Sequence, residues 1–215
     1  MDTSDTNEFV SVLLLITAVS RPGSAASCQT PSPTTAFCSG DTSMTAVPDS
    51  FDPAITFLWL DDTGIAAISN TSFVNYTQLQ YITIFNSQLT TIAVDTFENL
   101  TQLVYVDLSG NQLTGVVDIS WVCYIDSLQT IIIQESTIHT MTASCPPDLG
   151  PLPVSVTTLD LIGQPLSCCC NLGWLQSSDI NITASARKNS NVIAVCAGTP
   201  TAAGKPLVAV PPSER

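Results

Sequence analysis

The residues best suited to chemistry in this chain are its eight cysteines and its single histidine, His139. Three of the cysteines, Cys168, Cys169 and Cys170, are consecutive, and with His139 they suggest a zinc site. Tetrahedral zinc sites normally leave about two to four residues between thiolate ligands, so this spacing argues against a metal. Adjacent cysteines also bridge one another only with strain, and the pairing of Cys169 and Cys170 stays open.

Catalytic motifs are absent from the sequence. It contains no G-x-S-x-G, no H-E-x-x-H and no phosphate-binding loop, and no motif surrounds His139. Asp61 and Asp107 could stand near one another, but carboxylates on an open surface lack the burial that tunes a pKa for catalysis. We therefore expect no enzymatic activity, no catalytic residues and no cofactor.

The N-terminal stretch has the apolar run and the small-residue cleavage site of a secretion signal, although Asp2, Asp5 and Glu8 make the residues before the run acidic. Its apolar run extends from Phe9 to Val19, and the small residues Ser24-Ala25-Ala26 follow, so residues 1–26 are predicted to be a signal peptide. The run is too short to span a membrane, and no later run is as long. Membrane contact is therefore expected only through a segment outside this chain. Eight cysteines in such a protein favour disulfides and an extracellular or secreted location.

The charge distribution restricts the class of partner. The formal net charge is -13, and no lysine or arginine occurs between Ser27 and Ala186. Phosphate backbones are bound by clustered cations, so nucleic acid is a poor partner. A basic protein or another cationic ligand is easier to accommodate. The simpler alternative is that the acidity only maintains solubility.

A repeated pattern of apolar residues predicts how the central part of the chain folds. It reads L-x-x-V-x-L-x-x-N-x-L in the segment that begins at Leu103, and aliphatic residues occupy the leucine and valine places in the other copies. Five copies recur about every 24 to 28 residues, starting at Ile55, Leu79, Leu103, Leu128 and Val156. The fourth and sixth positions of each copy point the same way on a short strand, which predicts that they are buried.

Two further columns support this register. Phe73, Phe97 and Trp121 each lie 18 residues after the start of their repeat, and we expect them to stack as an aromatic spine. At the ninth position, the Asn111 amide can hydrogen-bond backbone groups that have left the sheet. Thr63, Ser87 and Ser136 can replace part of that bonding, whereas Gln164 is a doubtful substitute.

This pattern resembles the leucine-rich repeats of extracellular proteins such as variable lymphocyte receptors and the Toll-like and Slit-like ectodomains. The resemblance implies an α/β solenoid, a leucine-rich-repeat horseshoe with a concave parallel β-sheet, an irregular or 3₁₀ convex side, and disulfide-bonded terminal caps. We assign residues 27–54 to the N-terminal cap, 55–162 to the repeats, and 163–215 to a C-terminal cap that is truncated unless a further cysteine follows Arg215.

Three disulfides are predicted. Cys28 pairs with Cys38 across a short loop of the N-terminal cap. Cys123 and Cys145 lie on the convex side of successive repeats and predict a staple between them, the alternative being two buried free thiols. The run from Pro165 to Leu175 resembles the C-terminal cap motif P-x-x-C-x-C-x-L-x-W-L, and that resemblance pairs Cys168 with Cys196.

The outward-facing strand residues predict a recognition surface on the concave sheet. Neighbouring strands lie about 4.8 Å apart, which brings several aromatic side chains together beside Asp61 and Asp107. Such a cluster favours recognition over the alternative that the rings only pack against one another and the N-terminal cap. The candidate ligand-binding residues are Phe57, Trp59, Asp61, Tyr81, Thr83, Phe85, Tyr105, Asp107, Ile132 and Gln134.

Four Asn-x-Ser/Thr sequons agree with secretion: Asn70, Asn75, Asn99 and Asn181. The first three lie on return segments, where glycans would cover the convex flank and leave the concave sheet bare. The sequence therefore predicts a secreted or cell-surface recognition module that binds an extracellular protein or glycan, with a basic partner favoured by charge. The alternative is an extracellular matrix or adhesion scaffold without a dedicated ligand on the concave face.

Overall fold

The computed structural model describes residues 27–142, 155–161 and 163–164. Its elements follow the chain in this order: β1 (Ser27–Ser32), β2 (Thr35–Ser39), β3 (Phe57–Asp61), β4 (Ala67–Ile68), β5 (Tyr81–Phe85), β6 (Thr91–Ile92), β7 (Tyr105–Asp107), β8 (Thr114–Asp118), a 3₁₀ helix (Ser120–Tyr124), β9 (Thr130–Ile132), β10 (Thr137–Thr142) and β11 (Thr158–Asp160).

Seven strands form one sheet in the order β1-β2-β3-β5-β7-β9-β11. Strand β1 is antiparallel to β2, and every later pair is parallel and in register. Each repeat contributes one strand, so the predicted parallel-sheet solenoid is confirmed.

The predicted buried positions are also confirmed. In the segment that begins with buried Leu103, Val106 and Leu108 are fully buried, while Tyr105 and Asp107 face the other side of the sheet and remain half-buried. The equivalent positions of the other repeats are also core residues: Leu58 and Leu60, Ile82 and Ile84, Ile131 and Ile133, and Leu159 and Leu161. Burying an aliphatic side chain stabilises the fold by about 1.5 to 3 kcal/mol, and a one-residue shift would expose all of these side chains, so this register is strongly preferred.

Each repeat has a left-handed turn residue at the same place, shortly after its strand in the seven-stranded sheet. Asp62, Asn86, Gly110, Glu135 and Gly163 have φ of 52, 49, 68, 53 and 80°. This conformation turns the backbone N–H towards the next repeat. The N–H of Asp62 donates to the Phe85 carbonyl oxygen at 3.1 Å, and that of Gly110 donates to the Gln134 carbonyl oxygen at 2.9 Å. The turns therefore extend the hydrogen bonding between repeats beyond the strands.

Asn111 and Gln164 link their repeats to the preceding ones through equivalent hydrogen bonds. The Asn111 Oδ1 accepts from the Leu89 N–H at 3.0 Å, and its Nδ2 donates to the Ile84 carbonyl oxygen at 2.6 Å. Two repeats later, the Gln164 Oε1 accepts from the Ile138 N–H and its Nε2 donates to the Ile133 carbonyl oxygen, both at 3.0 Å. The prediction that Gln164 is a poor substitute for asparagine is wrong, because its longer side chain reaches the equivalent backbone N–H and carbonyl of the preceding repeat.

Small hydroxyl residues give a reduced version of this linkage in the other repeats. The Ser87 Oγ accepts from the Thr63 N–H at 3.1 Å and lies 2.8 Å from the Thr63 Oγ1. The Ser136 Oγ donates to the Asn111 carbonyl oxygen at 3.3 Å. These shorter side chains satisfy fewer backbone groups than an amide does, as expected from their smaller hydrogen-bonding capacity.

The opposite side of the solenoid contains the predicted aromatic spine. The ring centroids of Phe73 and Phe97 are 5.5 Å apart, and those of Phe97 and Trp121 are 5.1 Å apart in an edge-to-face arrangement. The return segments are more regular than the expected irregular or 3₁₀ path. Strand β4 pairs with β6 and β8 pairs with β10, both in parallel, and Trp121 belongs to the 3₁₀ helix.

The N-terminal cap joins the sheet directly. Ala36 and Cys38 are buried on β2 in the places that larger aliphatic residues occupy in the repeats, and the predicted Cys28–Cys38 disulfide is formed between paired strands. The Tyr76 hydroxyl, which belongs to the first repeat, donates to the Pro48 carbonyl oxygen and accepts from the Phe51 N–H at 3.3 Å. The first repeat is therefore covered rather than left with an open apolar end.

Cys123 is disulfide-bonded, which excludes the alternative of a free thiol there, while its predicted pairing with Cys145 is not tested by the described residues. Several other predictions fall outside the described residues: the signal peptide (1–26), the region from 165 onwards that contains the C-terminal cap motif, and the residues Cys145, Cys168, Cys169, Cys170, Cys196 and Asn181.

Replacing Asn111 with alanine should lower the free energy of unfolding by about 2–4 kcal/mol, because it leaves the buried Leu89 N–H and Ile84 carbonyl unsatisfied. Replacing the exposed neighbour Gln112 with alanine should change it by no more than about 0.5 kcal/mol. Urea denaturation followed by circular dichroism measures both variants. Equal effects of the two substitutions would show that the amide linkage contributes nothing to stability.

Gly110 and Gly115 form a matched pair, since φ is 68° at the first and 67° at the second. A Cβ at Gly110 would lie 2.3 Å from the Asn86 Oδ1 and also 3.0 Å from the Asn86 backbone nitrogen, which cannot move aside as a side chain can, whereas a Cβ at Gly115 would meet no atom within 4 Å. Gly115→Ala should cost about 1 kcal/mol of unfolding free energy from the backbone alone. Gly110→Ala should cost clearly more in the same denaturation experiment, and a smaller loss than at Gly115 would contradict the close packing of these turns.

Candidate functional site

The predicted outward-facing residues form columns across the strands of the concave face. The register pairs Phe57 with Tyr81 and Tyr81 with Tyr105 in the first column, and Trp59 with Thr83 and Thr83 with Asp107 in the second. The parallel register therefore brings these predicted site residues onto one continuous surface.

We define the aromatic patch as Phe37, Phe57, Trp59, Tyr81 and Tyr105. The Phe57 ring centroid lies 6.4 Å from that of Trp59 and 5.9 Å from that of Tyr81, and the Tyr81 and Tyr105 centroids are 6.1 Å apart. These separations are within the range of direct aromatic contact. The patch extends over strands β2, β3, β5 and β7.

Burial within the patch is uneven. Phe37 and Phe57 are only 3% and 7% exposed, and Trp59 and Tyr81 pack against them while remaining half-buried. The expectation that Phe57 is an exposed ligand contact was wrong, because its ring is enclosed by neighbouring aromatic rings. Phe57 therefore serves as a buried packing partner for Trp59 and Tyr81.

Phe37 belongs to the patch although it was not predicted as a site residue. It lies on β2, where it pairs with Trp59, but Ala36 and Cys38 flank it in place of the leucines that mark the other strands. The alternation of small buried residues with an aromatic side chain was the available signal. It is weak on its own, because many cap and loop segments contain it.

Thr83 is buried at the centre of the concave face, with 3% of its surface exposed, although it was predicted as a contact. Large side chains in the neighbouring strand positions shield this short residue. The remaining candidates are half-buried on the face: Trp59, Asp61, Tyr81, Phe85, Tyr105, Asp107, Ile132 and Gln134.

Asp107 is the carboxylate nearest the centre of the site. Its Oδ1 accepts from the Ser109 N–H at 2.9 Å, and its Oδ2 accepts from the Tyr105 hydroxyl at 3.5 Å. Burial raises the pKa of Asp107, and the negative charge of Asp160 adds to this, although the hydrogen bonds from Ser109 and Tyr105 oppose it. Burial, followed by the Asp107 charge, also raises the pKa of Tyr105. Asp107 is thus a desolvated carboxylate on the concave face.

Asp61 lies at the edge of the same face. Burial raises its pKa, the adjacent charge of Asp62 adds to the rise, and the side chain of Asn86 lowers it in part. The Asp61 Oδ1 and the Trp59 Nε1 are both buried and make no hydrogen bond. An unpaired buried acceptor and donor therefore lie two residues apart on β3, a combination that is unfavourable for folding.

The far end of the face is polar and closely hydrogen-bonded. The Gln134 Nε2 donates to the Asp160 Oδ2 at 2.7 Å, and Asp160 is buried. Ile132 separates Asp107 from Asp160 in the second column.

Within 27–142, 155–161 and 163–164, no group of three or more His, Cys, Asp or Glu side chains is placed to hold a metal ion. The same part of the chain contains no helix long and apolar enough to cross a membrane. His139 is exposed on β10, outside the seven-stranded sheet.

Comparisons with known proteins identify the fold. The leucine rich repeat family model matches residues 53–113. A chain of the crystal structure of the mouse RP105/MD-1 complex is similar, with a TM-score of 0.56 and 22% sequence identity over 80% of this chain. The present chain spans 29% of the length of that chain. No curated protein matches the sequence.

Asp107→Asn should stabilise the protein at neutral pH. Because the folded-state pKa of Asp107 is raised, the wild type loses stability as pH rises from about 3.8 through that higher pKa, and the asparagine variant avoids this loss. Below both pKa values the carboxyl group is protonated in both states, so the two proteins should differ least there. Denaturation at a series of pH values measures the difference, and a variant that is less stable at neutral pH than at acid pH, relative to wild type, would contradict the assignment.

Proposed function

We propose that this chain, whose residues 53–113 match the leucine rich repeat family model, is a secreted or cell-surface recognition module that binds an extracellular protein on its concave sheet. The observation that carries the proposal is the aromatic patch, in which the rings of Trp59, Tyr81 and Tyr105 are half-buried and the Tyr105 hydroxyl contacts the desolvated carboxylate of Asp107. A surface with these features is typical of binding sites, since aromatic side chains bury large areas at small cost in conformational entropy.

The residues divide into contacts and supports. Trp59, Tyr81 and Tyr105 are the proposed aromatic contacts, with Phe85, Ile132 and Gln134 around them. Asp61 and Asp107 supply negative charge. Phe57 and Thr83, which are buried, hold the contact residues in place.

Charge favours a basic partner. No lysine or arginine occurs anywhere between residues 27 and 186, and the pKa values of Asp61 and Asp107 are raised by burial. A cation placed beside a desolvated carboxylate stabilises its charged form. A cationic side chain above an aromatic ring is stabilised as well. A partner that presents arginine or lysine side chains therefore satisfies both features of the face.

A protein is the favoured class of partner. The similar mouse RP105 chain was crystallised as a complex with MD-1, so this fold supports protein association in that case. Glycan binding is a second candidate, because aromatic rings also stack on sugars. The alternative of a scaffold without a concave-face ligand does not explain why aromatic side chains cluster on that face.

A binding screen tests the proposal. Purified full-length chain is applied to arrays of extracellular protein ectodomains and of glycans, and the affinity of each hit is measured by biolayer interferometry. Trp59→Ala combined with Tyr81→Ala should weaken a true concave-face partner by at least about 30-fold, the effect of losing about 2 kcal/mol. For a basic partner, raising the ionic strength should also lower the association rate.

Val116→Ala is the matched control, since Val116 is an exposed apolar residue on β8, outside the concave sheet. It should leave the affinity unchanged, and circular dichroism should show that all variants are folded. If Val116→Ala weakens binding and the double variant does not, the flank is the contact surface and the scaffold interpretation replaces ours. Hits confined to the glycan array would replace the protein partner with a glycan.

A further inference from the structure

Two sequons occupy equivalent places in consecutive repeats, on return segments outside the seven-stranded sheet. Asn75 and Asn99 each follow the start of their repeat by 20 residues, and both are exposed. The residue after each of them is anchored in the core, where Tyr76 and Leu100 are buried. The hydroxyl residues that complete the sequons, Thr77 and Thr101, are exposed again. Each tripeptide therefore holds its central side chain inside the protein and both functional side chains outside.

Asn70 is a third exposed acceptor, on the return segment of the first repeat. The hydroxyl of its sequon belongs to Ser72, whose Oγ accepts from the Ser69 N–H at 3.0 Å. Attachment at Asn70 leaves that turn intact, because only the exposed amide of Asn70 is modified.

The next repeat has a different residue at the equivalent place. Cys123 lies 20 residues after Leu103, and it is buried and disulfide-bonded. The column of exposed asparagines thus stops at the third repeat, where the 3₁₀ helix and a disulfide take over the flank. The exposed valine beside Asn75, Val74, has 56% of its surface accessible, an apolar area that a glycan would cover.

We propose that Asn75 and Asn99 carry asparagine-linked glycans, with Asn70 as an additional site, and that these sugars cover the flank of the first two repeats. The co-reactant is an oligosaccharide linked to a polyisoprenyl pyrophosphate. The side-chain amide nitrogen forms a bond to the anomeric carbon, the bond from that carbon to the pyrophosphate oxygen breaks, and the amide loses a proton as the lipid pyrophosphate leaves.

The placement leaves the aromatic patch accessible. None of the three acceptors belongs to a strand of the seven-stranded sheet, whose inner face carries Trp59, Tyr81 and Tyr105. Glycans at these positions therefore direct a large partner away from the flank of the first two repeats. The inference shares with the proposed function only the passage of the chain through a secretory pathway.

The test is expression of the full chain in secreting insect or mammalian cells, followed by peptide mass spectrometry. Treatment with peptide N-glycosidase converts each glycosylated asparagine to aspartate, which should be found at positions 75 and 99. Asn75→Gln and Asn99→Gln should each remove one glycan from the intact mass. Thr77→Ala should remove the same glycan as Asn75→Gln, and Thr77→Ser should restore it.

Asn86 is the control within the same molecule, because it is exposed but belongs to no sequon, and it should remain unmodified. Unmodified asparagine at both 75 and 99, whether in the medium or inside the cell, overturns the proposal. The enzymatically deglycosylated protein should bind any concave-face partner with unchanged affinity. If the enzymatically deglycosylated chain still binds its partner, the glycans are not part of the binding site. If the chain is found without glycans and still binds, the glycan proposal fails and the proposed function stands.

Discussion

Hydrogen bonding between successive repeats is the constraint on which the rest of the structure depends. A single repeat cannot satisfy its own turn: the Leu89 N–H and the Ile84 carbonyl find their partners on Asn111, one repeat later. Gln164 forms the equivalent two hydrogen bonds for the fourth repeat, with the Ile138 N–H and the Ile133 carbonyl. Because buried backbone groups left unpaired are costly, the repeats must stack in one register. That register, rather than any local preference, aligns the side chains of the concave face into columns.

The periodic part of the fold was predictable because the aliphatic positions report burial directly. Val106 and Leu108 can be assigned to the core from spacing alone, and the structure agrees. Strand β2 was not predicted, since Ala36 and Cys38 are too small to stand out as core residues. The parallel pairing of β8 with β10 was also missed, because Val116 and its neighbours show no apolar alternation that distinguishes a strand from a loop.

The candidate site was predictable in position but not in exposure. Register alone places Trp59, Tyr81 and Asp107 on one face, and no tertiary information is needed for that. How much of each side chain remains accessible depends on the size of residues on neighbouring strands, which sequence spacing does not report. Phe57 is enclosed because the cap supplies Phe37, and Thr83 is enclosed because it is short among large neighbours.

The concave face retains groups that oppose folding. Burial raises the pKa of Asp61 and Asp107, and the Trp59 Nε1 is buried without a hydrogen bond. A face selected only for stability would replace these groups with apolar side chains or with polar ones whose desolvation is offset by hydrogen bonds. Unfavourable polar groups that cluster on one surface are a pattern typical of functional sites. A partner that brings cations and hydrogen-bonding groups to this face would offset those costs on binding, so the terms that weaken the free protein are the ones that favour the complex.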